Sequence, residues 1–189
     1  MTTRSNHDNE PSGLPATVGD AERHGADNAD AQFITFKIGN EEYGVDILAV
    51  REIIAWADVT QLPNTRNYVR GVLNLRGSIL PVFDLRCRFG MGLTKVTKTH
   101  VIIIVHVHEK LIGILADSVS KILVVDSSEI RPMPEVDLVV DQEFLAGLAN
   151  AEDRMVAILN AEHLFDLESL HDSIEGGRTV AARDNSKGS

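Results

Sequence analysis

Cysteine is nearly missing from this chain. Cys87 stands alone among 189 residues, which excludes an internal disulfide and a multi-cysteine zinc site and leaves a small hydrophobe as its expected role. No run approaches eighteen apolar residues, so no membrane-spanning helix is expected. The leader MTTRSNHDNE has no apolar core of the kind a secretion signal carries, so the expected location is the cytoplasm. Aromatic residues make up 5% and the net charge is −10. A chain that repels phosphate and offers few stacking rings is not expected to bind nucleic acid. Also missing are a G-x-S-x-G elbow, a glycine-rich phosphate loop opening a long helix, and a histidine beside a plausible nucleophile. These absences weigh against catalysis.

What is present is unevenly spread. Residues 1–31 and 172–189 are rich in Ala, Asn, Asp, Gly and Ser with scarcely any apolar side chains, so both are expected to be disordered tails, the first of them acidic. The core between them, residues 32–171, suits one globular unit or two small, closely packed ones. It holds 13 basic against 19 acidic residues, a net of −6. Within it Arg66, Arg70, Arg76, Arg86 and Arg88 gather against one acid, Asp84. That local reversal points to a partner with an acidic or amide-rich surface, unless the arginines are simply solvated.

The core repeats itself. Placing Gly44 on Gly113 aligns Ile34–Ile53 with Ile103–Ile122 at an offset of 69 residues, without a gap. Ile34, Phe36 and Ile38 then fall on Ile103, Val105 and Val107. A second stretch, Gly71–Asp84, aligns with Gly147–Asn160 at an offset of 76, setting Asn74 on Asn150, Arg76-Gly77 on Glu152-Asp153 and Asp84 on Asn160. Asp and Asn can each cap a following helix. One unit is used twice.

Each unit reads as strands and tight turns. Ile34, Phe36 and Ile38 alternate with Thr35 and Lys37, and Gly39-Asn40 supplies a hairpin turn before Glu42–Val45. Asp46 is expected to cap a short helix in which Ile47, Val50 and Ile54 share a face, with a return strand around Ile53–Trp56. The Arg76-Gly77 hairpin follows, with Pro81 at an edge or bulge. About five short strands per half suit a small closed barrel, since closure removes exposed edges. The expected fold is therefore mainly β: two tandem five-stranded barrels around a shared core, with short helices at corners. Leu164, Leu167 and Leu170 or His171 lie at helical spacing and predict a terminal helix packed across the pair.

Two features invite a chemical reading. His106 and His108 have an H-x-H spacing that sets two imidazoles on one face of a strand, as some metal sites require. The repeat places His106 on Lys37, so both histidines are expected on the solvent face or in the turn near Glu109, with no catalytic metal. The acidic pairs Glu41-Glu42 and Glu152-Asp153 fall at expected hairpin tips, where acids are ordinarily solvated.

Five segments in order, EEYGVDILAVREI, GVLNLRGSILPVFDLR, IGILADSV, IRPMPE and LAGL followed by RMVAILN, resemble the CheW family of chemotaxis coupling proteins. The likeness runs from about Gln32 to Phe165. It implies two intertwined SH3-like barrels and a non-enzymatic adaptor that needs no cofactor. Such an adaptor joins the cytoplasmic tips of chemoreceptors to the regulatory domain of the histidine kinase CheA, in membrane-associated arrays into which it does not itself insert. The implied receptor-binding positions are Val50, Glu52, Ile53, Asn74, Arg76 and Val101, lining a groove where the barrels meet. Gly71 and Gly113 stand near that groove as backbone requirements. Val50 and Ile53 also fit as core residues. Kinase contacts are not placed by any motif. An ion pair between Glu52, expected on a helix, and Arg76 at the groove border is a further expectation. A scaffold in some other sensory pathway, and more remotely a metal enzyme using His106 and His108, are the competing classes.

Overall fold

The computed structural model describes residues 30–134, 142–152 and 154–165. Ten strands run in order: β1 (Asp30–Ile38), β2 (Glu41–Asp46), β3 (Val50–Ala55), β4 (Val69–Leu75), β5 (Ser78–Asp84), β6 (Val101–Val107), β7 (Lys110–Ala116), β8 (Ser118–Asp126), β9 (Leu145–Ala151) and β10 (Arg154–Leu159). One-turn helices α1 (Leu85–Arg88) and α2 (Ala161–Leu164) follow β5 and β10. Their caps are the repeat-equivalent residues: Asp84 accepts from the Cys87 amide at 3.1 Å, and Asn160 from the Glu162 amide at 3.2 Å. The leader before Asp30, the tail from residue 172, and Leu167, Leu170 and His171 of the expected terminal helix lie outside the described residues. Asp30 and Ala31, assigned to the leader on composition, belong to β1 and pair with Asp126 and Val125.

The strands form two five-stranded sheets in the orders β8-β1-β2-β10-β9 and β3-β6-β7-β5-β4. Neighbours are antiparallel except β2 with β10 and β5 with β7, which are parallel and equivalent under the repeat. Each sheet curls into a small barrel with its own interior. Phe33, Leu123, Val125, Ala149, Val156 and Ile158 fill the first; Leu73, Leu80, Val82, Ile102, Ile104 and Leu115 fill the second. Strand alternation sends the other face of the same strands into a shared core. On β6, Ile102 and Ile104 point into the barrel while Ile103, Val105 and Val107 join Phe36, Ile38, Tyr43, Phe83, Phe89 and Phe165 between the barrels. A strand buried on both faces explains the continuous apolar run Val101–Val105.

The barrels do not coincide with the repeats. Each takes its leading hairpin from one repeat and its three trailing strands from the other. Along the chain, the second barrel is one unbroken stretch, Val50–Ala116, nested inside the first. The connections dictate this arrangement. A single residue, Asp117, separates β7 from β8. It cannot carry the chain past β6 to that strand's free edge, two inter-strand spacings or about 9.6 Å away, but it can hand β8 to β1 of the neighbouring barrel.

The helix expected after Asp46 is a correction. Asp46 does cap, accepting from the Leu48 amide at 2.9 Å, but the element is a single 3₁₀ turn, Ile47–Ala49. Val50 and Ile54 lie on strand β3. The β-branched residues Val50, Ile53 and Ile54 favour extended backbone, and β6 offers a partner edge, pairing Val50 with Val105 and Ile54 with Ile102.

Candidate functional site: the β3 and β4–β5 face

Arg76 and Gly77 form a two-residue hairpin loop between paired Leu75 and Ser78, with φ of 52° and 92°. Both values are positive, as a type I′ turn demands, and only glycine tolerates that backbone without cost. Asn74 fixes the turn from within, its Oδ1 accepting from the Gly77 amide at 2.9 Å. The hairpin leans over the outer strand β3, and Arg76 Nη2 donates to Glu52 Oε2 at 3.0 Å. The expected ion pair is therefore present, with Glu52 on a strand rather than a helix. It links β3, one outer strand of the second barrel, to the turn that follows β4, the other. Ile53, next along β3, is 39% exposed, and Ile79 at the foot of the hairpin is also exposed.

The implied receptor positions divide into groups. Glu52, Asn74 and Arg76 gather here, whereas Ile53 leaves the opposite face of β3, paired with Ile103 of the shared core while Glu52 pairs with Ile104 of the barrel interior. Val50 is half-buried against the shared core. Val101 pairs with Ala55 at the far end of the β3–β6 ladder, three residues or about 10 Å along β6 from the partner of Glu52. Gly113 sits inside the sheet, where a Cβ would lie 2.7 Å from Ile102 Cγ2. Gly71 has a φ of 138°, and a Cβ there would lie 2.3 Å from the Thr60 carbonyl oxygen. Both glycines are required by packing and present no side chain to a partner.

The five clustered arginines do not form one surface. Arg88 stacks over the rings of Tyr68 and Phe144, at 4.2 and 4.5 Å. Arg70 lies 3.8 Å from the buried Asp84 carboxylate, which also accepts from the Thr94 amide and hydroxyl at 2.8 Å each. Burial and the nearby Asp84 carboxylate push the Cys87 thiol up, against reactivity. His106 is exposed on β6 and His108 in the following turn. Among the described residues no group of three or more His, Cys, Asp or Glu gathers to hold a metal, and no helix is long and apolar enough to cross a membrane.

Sequence reasoning passed over a second ion pair. Lys121 Nζ donates to Glu152 Oε1 at 2.8 Å, joining outer strand β8 to the β9–β10 turn. Lys121 is Glu52 shifted by 69 residues, and Glu152 is Arg76 shifted by 76, so the alignment carried the signal. The Lys121 hydrogen bond holds the Glu152 carboxyl below the ordinary carboxylate range.

Two paired barrels that each present an exposed ion pair suit a scaffold for protein contacts. Comparison with known proteins gives that class its family. The model for the CheW-like domain matches residues 32–169, and the chain belongs to the CheW family. It is similar to a probable chemotaxis protein CheW of Rhizobium etli, at 40% identity over 72% of this chain and 88% of that one. The chemotaxis protein CheW of Rhizobium meliloti is 38% identical over 75% of this chain and 91% of its own. Among solved structures, the scaffolding protein TtCheW of Thermoanaerobacter tengcongensis matches with a TM-score of 0.68 and 34% identity, covering 76% of this chain and 92% of that one. The chain is accordingly a chemotaxis scaffolding or coupling protein and not an enzyme.

Proposed function

We propose that this protein couples chemoreceptors to the histidine kinase CheA, binding a helical receptor tip at the Glu52–Arg76 face and the regulatory domain of the kinase elsewhere on the barrels. It acts in the cytoplasm and is recruited to receptor arrays through these contacts. The observation that carries the reading is the Arg76 guanidinium, held at 3.0 Å by Glu52 yet 79% exposed. An exposed pair of this kind stabilises a fold by only about 0–1 kcal/mol, because water screens it and two long side chains must be ordered. Recognition is the better use. A planar guanidinium fixed by a carboxylate keeps donors free for carbonyls or side chains of a docked helix, while exposed Ile79, paired with Asn74 in the same hairpin, supplies apolar contact. Membership of a chemotaxis family supports the choice of partners.

Co-sedimentation of the purified protein with receptor tip fragments and with CheA, separately and together, tests the proposal. Binding to each alone and a ternary pellet are expected. Binding to neither partner refutes it.

A further inference from the structure

Four of the five clustered arginines are engaged. Arg70 and Arg76 face carboxylates, Arg88 stacks on two rings, and Arg66 also interacts with a neighbour. Arg86 is the exception. Its Nε is buried without a hydrogen-bond partner, and its guanidinium has no ion pair among the described residues. A buried N–H left unpaired is costly, the more so on a charged group. The side chain nevertheless has a defined place. From α1, behind the second barrel's β5, it reaches the β1–β2 turn of the first barrel, lying so close over Gly39 that a Cβ there would stand 2.9 Å from Nη2.

Arg86 lines a cavity of about 450 Å³ together with Thr94, Lys95, Thr99, His100 and Asp117. The loop that forms its wall is anchored. Thr94 is buried, with its amide and hydroxyl bonded to Asp84. His100 Nδ1 accepts from the Thr97 amide at 3.0 Å, so the ring proton sits on Nε2, which lies 3.2 Å from Asp117 Oδ1. Asp117 is the one carboxylate of the lining, and its Oδ2 accepts from the Gly39 amide at 2.7 Å. Both of its oxygens therefore face donors already. Lys95, like Arg86, has no ion pair among the described residues. Two unpaired cations against one tied carboxylate make a positive spot on a chain of net charge −10.

We propose that this cavity binds a phosphate group, with Arg86 offering its planar fork to two phosphate oxygens and Lys95 adding a second positive charge. A guanidinium matches phosphate bidentately, and an ammonium serves as a point charge beside it. Two cations favour a dianion over a single carboxylate. The cavity exceeds the liquid volume of on the order of ten water molecules, so it has room for the phosphate both as the free ion and as the ester of a side chain. The inference stands apart from receptor coupling, which uses none of these residues.

Isothermal titration calorimetry of the full chain is the test, with inorganic phosphate and a capped phosphoserine dipeptide titrated separately at an ionic strength held constant with chloride. Saturable binding of one phosphate group per chain is expected, with a melting temperature that rises with phosphate and not with chloride. Binding of inorganic phosphate alone identifies the free ion as the ligand, and equal or tighter binding of the phosphopeptide identifies a phosphorylated side chain. Arg86→Gln is expected to weaken binding about tenfold or more. Arg86→Lys, which keeps the charge without the fork, is expected to retain part of the affinity. Lys95 is exposed, so Lys95→Glu is expected to fold as wild type, which thermal unfolding checks, and to lose phosphate binding; it carries the test even where an Arg86 variant fails to fold. A wild-type chain that binds neither probe, or a folded Lys95→Glu chain that binds phosphate as wild type does, would overturn the inference.

Discussion

Gly44 and Gly113 occupy one position of the repeat used twice. Each pairs in parallel with the closing hairpin of its barrel, Gly44 with Ile158 and Gly113 with Val82. At each, a Cβ would press on an aliphatic side chain of the barrel interior, Ile158 Cδ1 at 2.8 Å and Ile102 Cγ2 at 2.7 Å. At each parallel junction the side chains of the barrel interior already fill the space a Cβ would need.

Gly113→Ala is therefore expected to destabilise by about 1–3 kcal/mol through overpacking. Gly71→Ala is expected to cost more, because the obstacle is the Thr60 backbone and the φ of 138° resists any side chain. Urea midpoints at constant m-value measure both. Wild-type stability in either variant would contradict the packing.

Arg76→Ala separates structure from recognition. Its melting temperature is expected to stay within a few degrees of wild type, since a surface pair is lost, while affinity for a receptor tip fragment falls clearly and kinase affinity changes much less. Unchanged receptor binding by the folded variant would remove Arg76 from the site.

The two caps differ in burial and so in cost. Asp84 is fully buried and accepts from the amides of Cys87 and Thr94 and from the Thr94 hydroxyl. Asp84→Ala strands these donors and Arg70, and is expected to cost about 2–4 kcal/mol. Asn160→Ala, at the more open equivalent, is expected to cost about 1 kcal/mol. Chemical denaturation of the pair reads the difference.

Tyr43 gives an alkaline signature. Its hydroxyl donates to Glu41 Oε2 at 2.6 Å, and burial followed by that hydrogen bond raises the phenol well above its ordinary value. A raised folded pKa means stability that is complete below the unfolded value of about 10 and is lost as pH climbs toward the folded one. Above pH 10 the wild type is expected to lose up to about 1.4 kcal/mol per pH unit from this group, a share that Tyr43→Phe lacks. Denaturation curves at pH 9 and 11 for both proteins test the slope.

Residues near 32–171 are proposed as the protease-resistant unit, with β1 extending it to Asp30. Limited proteolysis is expected to trim the leader and tail first. Backbone before Asp30 as protected from hydrogen exchange as Val101–Val105 would refute this.

Much of the barrel content was legible because period-two alternation and turn residues are local. Ile34, Phe36 and Ile38 declared their strand, Arg76-Gly77 its hairpin, and the offsets of 69 and 76 the duplication. The resemblance implied intertwined barrels, but no local pattern could say that β1 pairs with β8 rather than β3. Those two strands are repeat equivalents, and whatever complements one complements the other. The deciding term is the reach of one connecting residue, Asp117. Ile47–Ala49 was misjudged because apolar spacing of three and four also fits a turn feeding a strand. At the candidate site the ion pair was foreseen, while Lys121–Glu152 was overlooked because Glu152, although aligned with Arg76, reads by itself as a solvated acid at a hairpin tip and nothing local ties it to Lys121, 31 residues away.

The wiring has a consequence for how the chain comes apart. A cut between residues 90 and 100, at the junction of the repeats, would leave two fragments of which neither holds a complete barrel. Each retains a hairpin whose partner strands are on the other piece, so the fragments fit one another as do the subunits of a strand-exchanged dimer. The protein has the topology of two small subunits that traded hairpins and were then joined by a single peptide link, which makes their exchange permanent.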